Sequence, residues 1–216
     1  MTAENSGNTH EKDIQALDGI RTFSIISIIG YVLSTISFII SVGEIRLIIS
    51  GISGTTGIHF QAALIVPLIL SIVGFIIIML SLLFLRKGYS LLKGEYHEFR
   101  SPYTGIALYF IGLIVVILAI AVVIAAGVTG LVAIVLVGVA LIFIGGIMSL
   151  LGIILALVVG IFRLDGKYGG FAAAAILFIF GLFLPLFSFI AAILVYLRAS
   201  KKIREFSQIR EQQIVN

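Results

Sequence analysis

The chain has no cysteine, only three prolines, and few charges: 11% of its 216 residues are Asp, Glu, Lys or Arg. The missing thiols exclude disulfides, thiolate metal sites and cysteine nucleophiles. Ordinary soluble domains are roughly 25% charged. A chain that is 61% apolar cannot cover itself with so little polar surface, so lipid must be its main solvent. The shortage is greatest from Thr104 to Phe162, 59 residues without a charged side chain. A bilayer core takes about 20 apolar residues per helix, so this run is long enough for two crossings.

Ionisable residues are also missing from the interior of every apolar segment. Such residues mark proton relays and ion paths. Their absence argues against a proton pump, a carboxylate-coupled antiporter and a metal-dependent lipid enzyme. It leaves open a pore or carrier built from carbonyls and hydroxyls. His10, His59 and His97 are scattered, with no second ligand at helical or hairpin spacing, so no metal or cofactor is expected. Gly51-Ile-Ser-Gly54 has the form found in intramembrane serine proteases. That chemistry needs a histidine base on another membrane helix, and no helix supplies one. No catalytic residue is assigned, and the basic groups are too few and too mixed with acids for nucleic acid.

Five apolar segments remain, at about 22–42, 62–85, 105–126, 131–162 and 171–197. They predict an all-α polytopic integral membrane protein with four transmembrane helices and a kinked or re-entrant fifth. Residues 1–21 form a polar N-terminal segment, 22–197 the transmembrane domain and 198–216 a basic amphipathic tail. Glu4, Glu11, Asp13 and Asp18 precede the first span, unlike the basic start of a cleaved signal. Pro67 reads as a helix-entry proline. The fourth segment would reach roughly 48 Å, so it must tilt or project.

Lys and Arg placement sets the orientation. Lys12, Arg21, Arg86, Lys87, Lys93, Arg100, Arg163 and Lys167 fall on one side, which predicts a cytoplasmic N-terminus. Opposite lies Arg46. The tail adds Arg198, Lys201, Lys202, Arg204 and Arg210. Charge favours a last segment that turns back at Gly181–Pro185, the candidate helix break or substrate region. Length favours a kinked span, because two half-length arms reach only about 20 Å each and expose broken backbone. On length, 171–197 is expected to cross, leaving the tail outside.

The chain also reads as a tandem pair of helical hairpins. Ile28-Ile-Gly30 matches Ile111-Gly112, Ser71-Ile-Val-Gly74 matches Ser149-Leu-Leu-Gly152, and Gly88-Tyr89 matches Gly166-Lys-Tyr168. Gly112 and Gly152 are therefore candidate helix-packing positions. In the tail, Ile203, Phe206 and Ile209 share a helical stripe suited to an anionic leaflet or a partner.

Leu17-Asp-Gly-Ile-Arg-Thr22, Pro102-Tyr-Thr-Gly105, Arg163-Leu-Asp-Gly-Lys-Tyr168 and the proline preceding Ile193-Leu-Val-Tyr196 resemble one family. It is the archaeal multipass membrane family catalogued as domain of unknown function 973. The resemblance spans nearly the whole chain and implies an archaeal plasma membrane. It carries no established activity and no functional residues. The expected role is a non-catalytic scaffold or accessory subunit of a membrane complex, with the lipid bilayer and other membrane proteins as partners. The alternative is a small permease or channel, and an intramembrane enzyme ranks third.

Overall fold

The computed structural model describes residues 3–49, 57–129 and 131–215. Among them the chain is helical and has no strand. A helix satisfies its own backbone, which is what a segment in hydrocarbon requires. In order come α1 (Ala3–Ile49), α2 (Gly57–Lys93), a 3₁₀ turn (His97–Phe99), α3 (Arg100–Thr129), α4 (Val132–Ile153), a π-helical segment (Ile154–Val159), α5 (Gly160–Tyr168), α6 (Ala172–Gly181) and α7 (Pro185–Val215). Four stretches are long and apolar enough to cross a membrane: His10–Gly43, Ile65–Lys93, His97–Val128 and Val132–Tyr168.

The helices outrun the apolar segments at the charged ends. α1 begins at Ala3, not near residue 22, and its 47 residues reach about 70 Å, over twice the hydrocarbon core. The polar N-terminal residues are thus the first turns of α1. The stretch between the second and third apolar segments shrinks to a turn, because α2 continues to Lys93 and α3 starts at Arg100. The turn closes with Glu95 and Tyr96 donating to the Leu92 carbonyl at 3.1 and 2.8 Å. Pro67 lies well inside α2, which starts at Gly57, so it is an interior proline and not an entry residue.

Two compact units emerge, Met1–Leu91 with Ile176–Asn216, and Leu92–Ala175. In the first, α1 pairs with α2 and with α7. Its core gathers towards one end, where Ala16, Leu17, Ile20 and Phe23 of α1 are buried, as are Leu82, Leu85 and Tyr89 of α2 and Val195 and Ala199 of α7. Positions 13, 16, 17, 20, 23, 24 and 27 follow the spacing of one helical face. The second unit is the α3–α4 pair continued through the π segment and α5.

Small residues let backbones touch in both pairs. A Cβ on Gly30 would lie 2.9 Å from the Gly74 carbonyl oxygen. One on Gly112 would lie 2.6 Å from the Gly145 oxygen, and one on Gly105 2.9 Å from the Gly152 oxygen. A Cβ on Gly152 would collide with the Tyr109 backbone nitrogen. The matched glycines are therefore not equivalent partners. Gly30 meets Gly74, but Gly112 meets Gly145, seven residues before the Gly152 that the tandem match put there.

The last apolar segment is not a kinked span. α6 stops at Gly181, three residues turn, and α7 starts at Pro185. In a continuous helix, residues 181 and 188 would stand about 10 Å apart along the axis. Here a Cβ on Gly181 would lie 3.0 Å from the Ser188 Cα and would clash with the Ser188 hydroxyl. The chain turns back on itself. His10 of α1 then stacks against Phe206 of α7 with ring centroids 5.6 Å apart, so the tail runs beside the N-terminal turns. Length misled because the broken backbone largely satisfies itself, as the turn shows below.

Candidate functional site

The turn between α6 and α7 is the candidate site that both sequence and structure mark. Leu182 donates to the Ile179 carbonyl at 3.3 Å, and Phe183 and Leu184 both donate to Phe180 at 3.1 Å. These short-range bonds replace the lost helical ones. Pro185 has no N–H to satisfy and suits the first position of α7. Gly181 is needed because any side chain there would meet Ser188. Phe183 is 82% exposed at the tip.

Beside the tip, Leu184, Pro185 and Leu186 face Thr35, Phe38 and Ile39 of α1 across a cavity of about 340 Å³. That is near the small end of ligand pockets. The surface it presents is hydrocarbon, without a polar atom. It suits an apolar chain, not an ion or a polar solute.

The other candidates fall elsewhere. The 51–54 motif lies outside the described residues. His59 belongs to α2, His97 sits in the 3₁₀ turn and His10 against Phe206. Among the described residues, no group of three His, Asp or Glu side chains is arranged to hold a metal. Ile203 and Phe206 are half-buried and Ile209 is exposed. Phe206 packs on His10, so the stripe expected to lie on a leaflet turns in part towards α1. Lys202 donates to Glu205 at 2.8 Å and holds its carboxyl below the ordinary value, with Lys201 adding to the effect.

The structure adds a hydroxyl ladder that sequence reasoning missed. Ser37 donates to the Pro67 carbonyl at 2.6 Å and lies 2.7 Å from the Ser71 hydroxyl. A hydroxyl has one proton, so Ser71 donates to Ser37. By the same count Ser81 donates to Ile78 at 2.6 Å, and Ser27 donates to Ser81 at 2.7 Å. Ser24 and Ser41 bond back to carbonyls four residues earlier in α1. The signal was present in the spacing of Ser24, Ser27, Ser34, Ser37 and Ser41, which share one side of α1.

In the second unit, the Asp165 Oδ1 accepts from the Phe171 and Ala172 amides at 2.6 and 3.0 Å, capping α6. Arg163 pairs with Glu98 at 3.2 Å. Lys167 lies 3.4 Å over the Tyr96 ring and Lys93 3.3 Å over Tyr103. A family model described as "Protein of unknown function (DUF973)" matches residues 13–216. The chain belongs to that family. The phrases that carried the resemblance have structural roles. Leu17 and Ile20 are buried, Asp18 pairs with Arg21 at 2.6 Å, and Gly19 approaches Gly88. Gly105 meets Gly152, and Asp165 caps α6. No curated protein and no solved structure matches the chain.

Proposed function

We propose that this member of the family is a multipass plasma-membrane protein that acts as a non-catalytic scaffold or accessory subunit of a membrane complex. What supports the reading is the way its interior polar groups are engaged. In α1 and α2, the buried hydroxyls Ser24, Ser27, Ser37 and Ser81 bond to one another or to backbone carbonyls. Ser27, Ser37 and Ser81 hold α1 to α2, Ser24 bonds within α1, and none is left to engage a solute. The N-terminus and the tail are assigned to the cytoplasm of an archaeal cell. The tail runs beside α1, so 13 of the 14 Lys and Arg residues fall on one side and Arg46 on the other. The permease reading draws support from the turned-back last segment, since broken helices line transporter sites. The hydrocarbon lining beside the turn weighs against a polar substrate.

The test is co-purification after mild solubilisation, together with solute flux into proteoliposomes. A membrane-protein partner recovered in fixed ratio, with no flux above protein-free vesicles, is the expected result. Saturable flux by the pure chain would overturn it. Orientation is tested separately. A cysteine at Ser207 or Ser90 should react with an impermeant reagent only after the cells are opened.

A further inference from the structure

We infer that the cavity between Thr35, Phe38 and Ile39 of α1 and the turn at Leu184–Leu186 is a binding site for one hydrocarbon chain of a membrane lipid, from the leaflet opposite the two termini. The inference rests on the bilayer placement proposed above. From Leu197 to Pro185 α7 is 13 residues, about 20 Å, against a hydrocarbon core of about 30 Å. Along α1 the same depth is found independently: Thr35 lies 14 residues beyond Arg21, about 21 Å. The turned-back segment therefore stops about 10 Å short of the far boundary, while α1 continues past it to Ile49. A volume the height of a partial leaflet is left beside α1 and under the tip. Water is a poor occupant, because the lining offers no polar atom and a buried water needs two or more partners. A polar solute is excluded for the same reason. A lipid chain rising from the far leaflet has the right chemistry and the right direction, and it ends against Pro185 and Phe38. It differs from a bulk lipid in being walled on two sides, so it should exchange slowly.

The chain has no tryptophan, so a single one reports without background. Phe38→Trp places it in the lining, and Phe75→Trp places it on α2 outside the lining, at a position of similar exposure. Both are reconstituted with lipids brominated along their chains and then moved into detergent without them. Quenching should persist in Phe38→Trp and be lost in Phe75→Trp. Adding Thr35→Phe, which fills the cavity, should remove the persistent quenching while circular dichroism and melting stay unchanged. Equal recovery of the two reporters, or persistence after Thr35→Phe, would overturn the site. Absence of quenching in the brominated bilayer itself would also overturn it, since it would mean that protein covers this face. Labelling at Ser207 in intact and opened cells separates failure of the site from failure of the topology.

Discussion

The α1–α2 and α3–α4 pairs solve one problem in two ways. Both must hold two helices together where lipid tails compete for every apolar contact. In α1–α2, hydroxyls reach across at Ser27–Ser81 and Ser37–Ser71, alongside close glycine contacts at Gly30–Gly74 and Gly19–Gly88. In α3–α4, the backbones touch at Gly105–Gly152 and Gly112–Gly145, and the hydroxyl bond across the pair is the longer one from Ser149 to the Tyr109 carbonyl, 3.3 Å. The second pair is also the uncharged run. Interhelical hydroxyl bonds in membranes average about 0.6 kcal/mol. Forcing a side chain between two backbones costs about 1–3 kcal/mol or more. The glycine-packed pair should therefore be the less forgiving of single substitutions.

Gly152→Leu should break the comparison hardest. Its Cβ meets the backbone of Tyr109, which cannot rotate away, so a loss of about 3 kcal/mol is expected. Ile153→Leu, which conserves volume, should cost less than about 1.5 kcal/mol. Equal melting of the two variants in detergent would show that the helices slide apart freely. Asp165→Ala removes two amide bonds at the start of α6 and should cost about 1–2 kcal/mol, read as faster amide exchange at Phe171 and Ala172. Asp165→Asn should restore much of it.

Smaller effects are expected from the ladder. Ser71→Ala should cost about 0.6 kcal/mol, and a double-mutant cycle with Ser37→Ala should return a coupling of that order. A coupling near zero would mean that the Pro67 carbonyl alone holds Ser37. The smallest effect belongs to the tail. The Glu205 carboxyl is held below its ordinary value, so its contribution is present above the usual carboxylate pKa and fades as pH falls through the folded-state value. Protection factors for amide exchange across 200–209, corrected for the intrinsic rate at each pH, should fall on acidification. Glu205→Gln should abolish that dependence, with little change in overall stability.

Hydropathy located the four long helices but not their ends. It records the thickness of lipid, whereas α1 and α2 run on through Asp13, Arg21, Arg86 and Lys93, with Ala16, Leu17, Ile20, Tyr89 and Leu92 buried between those charges. The buried face of Ala16, Leu17 and Ile20 has helical spacing and was readable. Gly181 and Pro185 announced the break in the last segment. The direction of the chain after it followed the basic residues and not the segment length. A three-residue turn can satisfy its own amides, and no count of residues reveals that. The glycines were visible as small residues, yet which ones meet was not, since register depends on how two helices face each other.

The π segment Ile154–Val159 acts as a phase shifter. Gly88 lies 14 residues after Gly74, and Gly166 lies 14 after Gly152, so at about 100° per residue both should return to nearly the face they left. Gly88 does, against the Ala16 carbonyl, but a Cβ on Gly166 would meet nothing from another turn or helix within 4 Å. A π turn takes in one extra residue, leaving 13 effective steps and turning everything downstream by about a quarter of a revolution or more. Two stretches with the same spacing of glycines are thereby made to point different ways. The two hairpins, alike in the spacing of their glycines, thereby stop being copies in three dimensions.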